Sequence, residues 1–183
     1  MNIGMLKGKI LIILKVLRIS GIIFIVLVIM ILSYNVMNNN KIQITLDSCV
    51  DGDTAWFIVD GKREKVRFLG IDTPESTNAI EEYGKEASNF TCDKLKLANE
   101  IYIEYDSNSD KYDKYGRLLG YLFIDNYNLN ELILLNGFAE VKYIYGDYKY
   151  IENFCIAQDN AYRNKLNIWN IYDYTNNYCN NIK

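Results

Sequence analysis

The spacing of hydrophobic and polar residues changes several times along the chain, and each change predicts a different element. From Lys41 onward apolar and polar residues alternate, which predicts two strands joined by a turn at Asp51-Gly52-Asp53. A second turn signal, Asp60-Gly61, leads into a third predicted strand over Lys65–Ile71. Pro74, the only proline in the chain, removes a backbone donor and therefore ends this extended stretch.

Helical spacing and further alternation predict the rest of the fold. Apolar residues recur every three or four positions in segments that we predict to be helices: Ile80–Leu97, Leu129–Leu135 and Ile151–Leu166. A fourth and a fifth strand are predicted at Glu100–Asp106 and Leu118–Asp125, and Phe138–Tyr145 is predicted to be extended. Five short strands with one inserted helix and two helices behind them indicate an α+β fold, a five-stranded OB-fold barrel with three helices.

The first 40 residues differ from the rest. They contain no acidic residue and four basic ones, followed by an uncharged run whose apolar centre is Ile22–Leu32. This pattern predicts an N-terminal hydrophobic helix whose amino end is cytoplasmic, with everything after Asn40 outside. Two interpretations are open, a cleaved signal peptide and an uncleaved anchor that crosses the membrane within residues 10–34. The anchor is favoured because no alanine precedes Ala55, so an Ala-x-Ala cleavage site is absent.

The chain is therefore divided into an anchor or signal segment with a short tether (residues 1–40), a barrel domain (residues 41–172) and a polar tail (residues 173–183). Four of the 20 basic residues but none of the 23 acidic ones precede Lys41, which leaves 16 basic residues and a net charge of about −7 beyond it. A negative surface does not attract nucleic acid over its whole area, so any affinity for phosphate has to be local.

Four widely spaced cysteines, Cys49, Cys92, Cys155 and Cys179, lie in the part that we predict to be outside the cytoplasm, where disulfides persist. Their spacing and the absence of histidine exclude the common Cys/His zinc patterns. At least one disulfide is one expectation, and buried free thiols at Cys92 and Cys155 are the other. The pairing does not follow from the sequence.

The absence of histidine also excludes Ser-His and Cys-His nucleophile pairs. What remains is a set of carboxylates and arginines in three segments: Asp51-Gly52-Asp53-Thr54, Arg67 with Asp72-Thr73-Pro74-Glu75, and Asp113-Lys114-Tyr115-Gly116-Arg117. Carboxylates at two turns can bind a hard cation such as Ca²⁺, and two arginines can hold a phosphate. Each motif alone is also typical of a solvated turn, but together they indicate phosphoryl chemistry.

In this order the segments resemble the staphylococcal nuclease family, over about Ile44–Trp169. Three further motifs carry the resemblance: Tyr83-Gly84-x-Glu86-Ala87-Ser88, Gly137-Phe138-Ala139 and Lys165-Leu166-Asn167-Ile168-Trp169. The resemblance implies an OB barrel with three helices and Ca²⁺-dependent hydrolysis of DNA and RNA that leaves 3′-phosphate ends. We expect a monomer that is secreted, or anchored to the membrane, outside the cytoplasm.

The resemblance also implies roles for individual residues. Asp53 and Asp72 would bind Ca²⁺ directly, together with the backbone carbonyl of Thr73, and Asp51 would be an acid just beyond the ligands. Glu75 would orient or deprotonate the attacking water, while Arg67 and Arg117 would hold the phosphate and stabilise its developing charge. The nucleotide pocket would be lined by Lys114, Tyr115, Tyr143 and Tyr145. For the last two, core packing is an open alternative to stacking on a base.

One segment departs from the family pattern. Ser76–Glu82 is shorter than in the best-known members and carries Glu81 and Glu82 where those have lysines, which bears on substrate affinity. The alternative function is a non-catalytic OB module that binds single-stranded nucleic acid or protein. The presence of Arg67, Glu75 and Arg117 favours the enzyme, because a binding module has no need of all three.

Overall fold

A computed structural model describes residues 21–30, 40–77, 80–171 and 178–181 of the chain. The chain divides into two compact units, Met1–Asn40 and Lys41–Lys183. In the first unit residues 21–30 are helical, and the remainder of the predicted N-terminal segment lies outside the described residues. Among the helices that the structure describes, none is long and apolar enough to cross a membrane. The anchor or signal segment and the three-part division stay predictions.

Five strands form a closed barrel in the second unit. Eight strands are described in this unit: β1 (Lys41–Cys49), β2 (Thr54–Val59), β3 (Lys62–Phe68), β4 (Ile71–Asp72), β5 (Ile101–Glu104), β6 (Leu118–Ile124), β7 (Tyr127–Asn128) and β8 (Glu140–Val141). The barrel consists of β1, β2, β3, β5 and β6. Antiparallel pairing gives the order β3-β2-β1-β5-β6, and a parallel pairing of β3 with β6 closes the barrel. The predicted five-stranded OB-fold barrel is confirmed. Strand β4 pairs instead with β8, outside the barrel.

Three α-helices accompany the barrel in the part of the chain that the structure describes: α1 (Gly84–Leu97), α2 (Leu129–Leu135) and α3 (Ile151–Arg163). Helix α1 begins four residues later than the predicted Ile80. The reason is local, because Tyr83 has a left-handed backbone with φ of 66°, which a right-handed helix does not continue through. Helix α2 begins after Asn128, whose side-chain oxygen accepts a hydrogen bond from the backbone N–H of Glu131 at 3.3 Å.

The core fills the barrel and continues beneath α3. Phe57, Ile103 and Leu122, one from each of β2, β5 and β6, are fully buried. On the α3 side, the ring of Phe154 meets that of Tyr121 edge to face, with centroids 5.9 Å apart. Each such buried side chain stabilises the fold by about 1.5–3 kcal/mol.

Two disulfides link distant segments. Cys49 at the end of β1 is bonded to Cys92 in α1, and Cys155 in α3 is bonded to Cys179 near the carboxyl end. Cys179 also packs in the core at 7% exposure. All four cysteines of the chain are therefore paired, and the alternative of free thiols at Cys92 and Cys155 is wrong.

Candidate active site

Arg67 is at the centre of the polar cluster. Its side chain is only 9% exposed, and its Nη1 and Nη2 lie 2.7 Å from Asp53 Oδ2 and 2.8 Å from Asp72 Oδ1. Nη1 also donates to the carbonyl of Ile71 at 2.9 Å. A buried guanidinium is stable only when its charge and its hydrogen-bond donors are matched in this way. Two carboxylates, one from the turn before β2 and one from β4, therefore share one buried positive charge.

The carboxylate of Asp53 is held on both sides. Oδ2 accepts hydrogen bonds from the Thr73 backbone N–H at 2.8 Å and from its hydroxyl at 3.1 Å, and Oδ1 accepts from the Thr54 hydroxyl at 3.0 Å. Asp51 lies behind it, with Oδ1 accepting from the Asp53 N–H at 3.2 Å. Burial raises the pKa of Asp53 to about 6, and Arg67 opposes that rise. At neutral pH the group is therefore mainly ionised.

The turn that carries Asp51 and Asp53 packs against Thr73 and against helix α1. A Cβ on Gly52 would lie 2.7 Å from Thr73 Oγ1, so only glycine allows the turn to approach the Thr73 strand end this closely. The Gly52 carbonyl accepts a hydrogen bond from the Thr91 hydroxyl of α1 at 2.7 Å. The neighbouring Cys92 forms the disulfide to Cys49 at the other side of the turn. Asp53 is thus fixed by contacts with two other segments.

Glu75 follows Thr73 and is held by the segment after it. The backbone N–H of Glu75 donates to Glu81 Oε2 at 3.0 Å, and the Glu81 N–H donates to the Glu75 carbonyl at 2.9 Å. A Cβ on Gly84 would overlap that carbonyl, so α1 begins against the Glu75 backbone. The acidic residue Glu81 therefore orients the backbone of Glu75, a contact that the sequence did not predict. Residues 78–79 of this loop lie outside the described residues.

Arg117 sits on a tight turn at the start of β6. Asp113 Oδ1 accepts from the backbone N–H groups of Tyr115 and Arg117, each at 2.9 Å, and Oδ2 lies 2.6 Å from Arg117 Nε. Burial alone would raise the pKa of Asp113, but these hydrogen bonds outweigh it and lower the pKa. Because Arg67 pairs with Leu119 in the parallel ladder, the turn lies at the same edge of the barrel as the carboxylate pair.

Lys114, Tyr115, Tyr143 and Tyr145 differ in how close they lie to the two arginines. The Lys114 ammonium is 5.0 Å and the Arg117 guanidinium carbon 5.5 Å from the Tyr115 ring centroid. The Tyr143 ring centroid is 5.8 Å from the Arg67 guanidinium carbon, whereas Tyr145 is 84% exposed. The structure therefore brings Tyr143 to the carboxylate pair and Tyr115 to Arg117. The roles predicted for these residues stay predictions.

The extended segment predicted over Phe138–Tyr145 is wrong beyond Val141. Strand β8 ends at Val141, where the ladder with the two-residue strand β4 ends. Tyr143 then has a left-handed backbone with φ of 59°. Tyr143 and Tyr145 consequently do not lie side by side on one strand face.

The sequence prediction missed Lys142. Its Nζ lies 2.9 Å from Asp72 Oδ2 and 2.7 Å from Glu140 Oε1. Burial alone would lower the pKa of Lys142, but the hydrogen bonds to Glu140 and Asp72 outweigh it and raise the pKa. A charged pair two residues apart, directly after the apolar Gly137-Phe138-Ala139 motif, was the available signal.

The donors at this edge fit a hard divalent cation. Asp53 and Asp72 offer carboxylate oxygens that already converge on one positive group, and the Thr73 carbonyl comes directly after Asp72 in the chain. Over the described ranges, no group of three or more Asp, Glu, His or Cys side chains is arranged to bind a metal. The predicted site combines two carboxylates with one backbone carbonyl, which is a smaller set than such a group, and it stays a prediction.

Comparison with known proteins connects this geometry to a family. A family model described as staphylococcal nuclease homologue matches residues 65–171, which include Arg67, Asp72, Glu75 and Arg117. The chain belongs to the staphylococcal nuclease family. The family prediction made from the motifs is confirmed.

This member of the staphylococcal nuclease family is similar in sequence to proteins that are named as nucleases. It is 37% identical over 140 residues to the endonuclease YncB of Bacillus subtilis (strain 168), covering 74% of this chain and 65% of that protein. It is 38% identical over 132 residues to the SPbeta prophage-derived endonuclease YokF of the same strain, covering 70% of this chain and 44% of that protein. It is 35% identical over 166 residues to a thermonuclease of Staphylococcus hyicus, covering 82% of this chain and 96% of that protein.

Proposed function

We propose that this protein is a Ca²⁺-dependent phosphodiesterase that hydrolyses DNA and RNA to products with 3′-phosphate ends, outside the cytoplasm. The observation that carries the proposal is the convergence of Asp53 and Asp72 on the buried Arg67. The relatives are named endonuclease and thermonuclease, which supports the reaction class. The chain spans only 65% of YncB and 44% of YokF, so the activity of those whole proteins is proposed for this chain rather than shown.

In this proposal Asp53, Asp72 and the Thr73 carbonyl hold the cation. When bound, Ca²⁺ supplies a positive charge that stabilises the negative charge developing on the phosphate oxygens. Arg67 and Arg117 add planar, two-pronged donors to the same oxygens and stabilise the transition state more than the ground state. Glu75, two residues after Thr73, accepts the proton of the attacking water at its carboxylate.

The proposed substrate contacts are local. The part of the chain beyond residue 40 has a net charge of about −7, so long-range attraction of a polyanion is weak. Tyr115 and Tyr145 are 71% and 84% exposed, and such ring faces can stack on unpaired bases of DNA or RNA. Stacking recognises neither the sugar nor a particular base, which supports activity on both nucleic acids.

The paired cysteines support a location outside the cytoplasm. Both disulfides would be reduced by cytosolic thiols if they were accessible, whereas they persist in an oxidising compartment. Protease added to intact cells, after the outer wall is removed, should digest a membrane-tethered form without lysis. Digestion only after lysis would place the domain in the cytoplasm and contradict this part of the proposal.

The activity test is digestion of plasmid DNA and of RNA with Ca²⁺, with Mg²⁺ and with EGTA. We expect cleavage in Ca²⁺, little turnover in Mg²⁺ and none in EGTA. The product ends should resist extension by a polymerase until a 3′-phosphatase has treated them. Full activity in EGTA would contradict the metal assignment, and directly extendable ends would contradict the 3′-phosphate assignment.

Two variants control for the catalytic assignment. Glu75→Gln should abolish cleavage while the fold is kept, because an amide does not accept the proton. Glu82→Gln changes an exposed acid of the same loop and should cleave normally. Tight binding of single strands without cleavage by the unaltered protein would instead favour the non-catalytic OB module.

A further inference from the structure

The carboxylate of Asp72 is divided between two positive groups. Arg67 Nη2 lies 2.8 Å from Oδ1, and Lys142 Nζ lies 2.9 Å from Oδ2. The second contact follows from the β4–β8 pairing, in which Asp72 is directly opposite Glu140 and Lys142 comes two residues later. The backbone N–H of Lys142 also donates to the Gly70 carbonyl at 3.2 Å, which keeps this segment beside Asp72.

We propose that Lys142 is a positioning residue that competes with the divalent cation for Asp72 and so sets the cation concentration at which the site fills. The inference rests on the proposed function, since it requires Asp72 to be a cation ligand. A carboxylate oxygen that accepts from an ammonium group is not free to bind a metal ion, and the two positive charges repel each other. The cation can bind Oδ2 of Asp72 only after Lys142 has moved.

Lys142 is better suited to move than Arg67. Arg67 is nearly buried and pairs with two carboxylates and a carbonyl, so its displacement would leave buried groups unsatisfied. The Lys142 side chain is 45% exposed and has a flexible stem. The two positively charged side chains beside Asp72 therefore have different functions. Arg67 is fixed in its strand, whereas Lys142 lies at the surface and can be released.

Glu140 makes the release of Lys142 possible without leaving an unpaired charge. Its Oε1 lies 2.7 Å from Lys142 Nζ, and Glu140 comes two residues before Lys142 in the chain. When the cation takes Asp72, the ammonium remains paired with Glu140. Removal of Glu140 would therefore make Lys142 depend on Asp72 alone, and the cation would compete less well.

The test is calorimetric titration of the purified full chain with Ca²⁺ alone, in the absence of nucleic acid. Lys142→Met should bind Ca²⁺ about two- to five-fold more tightly, on the scale of a partly exposed ion pair. Lys142→Arg keeps the charge and should bind as the unaltered chain does. Glu140→Gln should bind about two- to five-fold more weakly.

The double variant Lys142→Met with Glu140→Gln tests whether Glu140 acts by pairing with the displaced Lys142 or through its own negative charge. If Glu140 acts by holding the ammonium, the double variant should have the affinity of Lys142→Met. The gain from Lys142→Met should also shrink in about 1 M salt, where screening acts over about 3 Å. A loss of a purely structural contact would weaken Ca²⁺ binding rather than strengthen it.

The outcomes separate this inference from the proposed function. If the unaltered chain binds Ca²⁺ but Lys142→Met binds it equally or more weakly, the competition is refuted and the nuclease proposal stands. If Glu140→Gln weakens Ca²⁺ binding by the same factor with and without Lys142, the role of Glu140 as the partner of the displaced Lys142 is refuted. If the unaltered chain cleaves nucleic acid without binding Ca²⁺, the metal assignment and this inference fall together.

Discussion

Replacing Cys49 and Cys92 together by serine perturbs the turn that carries Asp53 without touching a residue of the site. The disulfide closes a loop with a sequence separation of 43, and Cys155–Cys179 closes one of 24. Loop-closure entropy converts these lengths into about 4.0 and about 3.4 kcal/mol of stability at 25 °C. The two double-serine variants should therefore lose similar amounts of unfolding free energy, equivalent to roughly 8–16 °C in Tm for a domain of this size.

Their effects on activity should differ because the two disulfides lie in different places. Cys92 follows Thr91, whose hydroxyl binds the Gly52 carbonyl at 2.7 Å, and Gly52 precedes Asp53. Loss of Cys49–Cys92 loosens both sides of that turn, and a displacement of about 1 Å at a catalytic group can reduce the rate about 100-fold. The Cys155–Cys179 disulfide holds α3 to the carboxyl end and leaves the turn intact.

The assay measures kcat on a short single-stranded substrate well below the Tm of both variants, with circular dichroism to confirm that each is folded. The Cys49/Cys92 variant should have a markedly lower kcat and a higher Ca²⁺ requirement, whereas the Cys155/Cys179 variant should have the kcat of the unaltered chain. Equal kcat values in all three proteins would refute the claim that the disulfide positions Asp53. A lower kcat in the Cys155/Cys179 variant alone would refute the spatial argument.

Four further predictions concern the site and the boundary of the domain. Arg67→Lys should lower kcat about 100-fold or more, because a point charge does not replace the fork of donors; a change confined to KM would contradict this. Asp72→Asn should raise the Ca²⁺ requirement strongly, measured by titration of activity, and an unchanged requirement would remove Asp72 from the ligands. Binding of a short single strand by Glu75→Gln should fall with salt at a slope of about −1 to −3, and a slope steeper than about −5 would reveal a basic groove. Deletion of residues 1–38 should leave fold and activity intact, since β1 begins at Lys41, and an unfolded product would contradict the boundary.

Some properties of this protein follow from the sequence alone because they depend on neighbouring residues. Alternation and turn signals predict the barrel strands, and the order of the acidic and arginine motifs predicts the family. The partnership of Arg67 with carboxylates is also foreseeable, because an arginine between Val66 and Phe68 in a strand has to be neutralised. These inferences require only the period of a strand and the solvation of a charge.

Other properties depend on which distant segments become neighbours, and only the tertiary structure decides them. The pairing of Cys49 with Cys92 requires the end of β1 to meet α1, and β8 ends where its ladder with the two residues of β4 ends. The contact of Lys142 with Asp72 depends on the register between those two short strands, 70 positions apart in sequence. Local spacing contains no information about such a register, because it is set by how the barrel, α1 and α3 pack together.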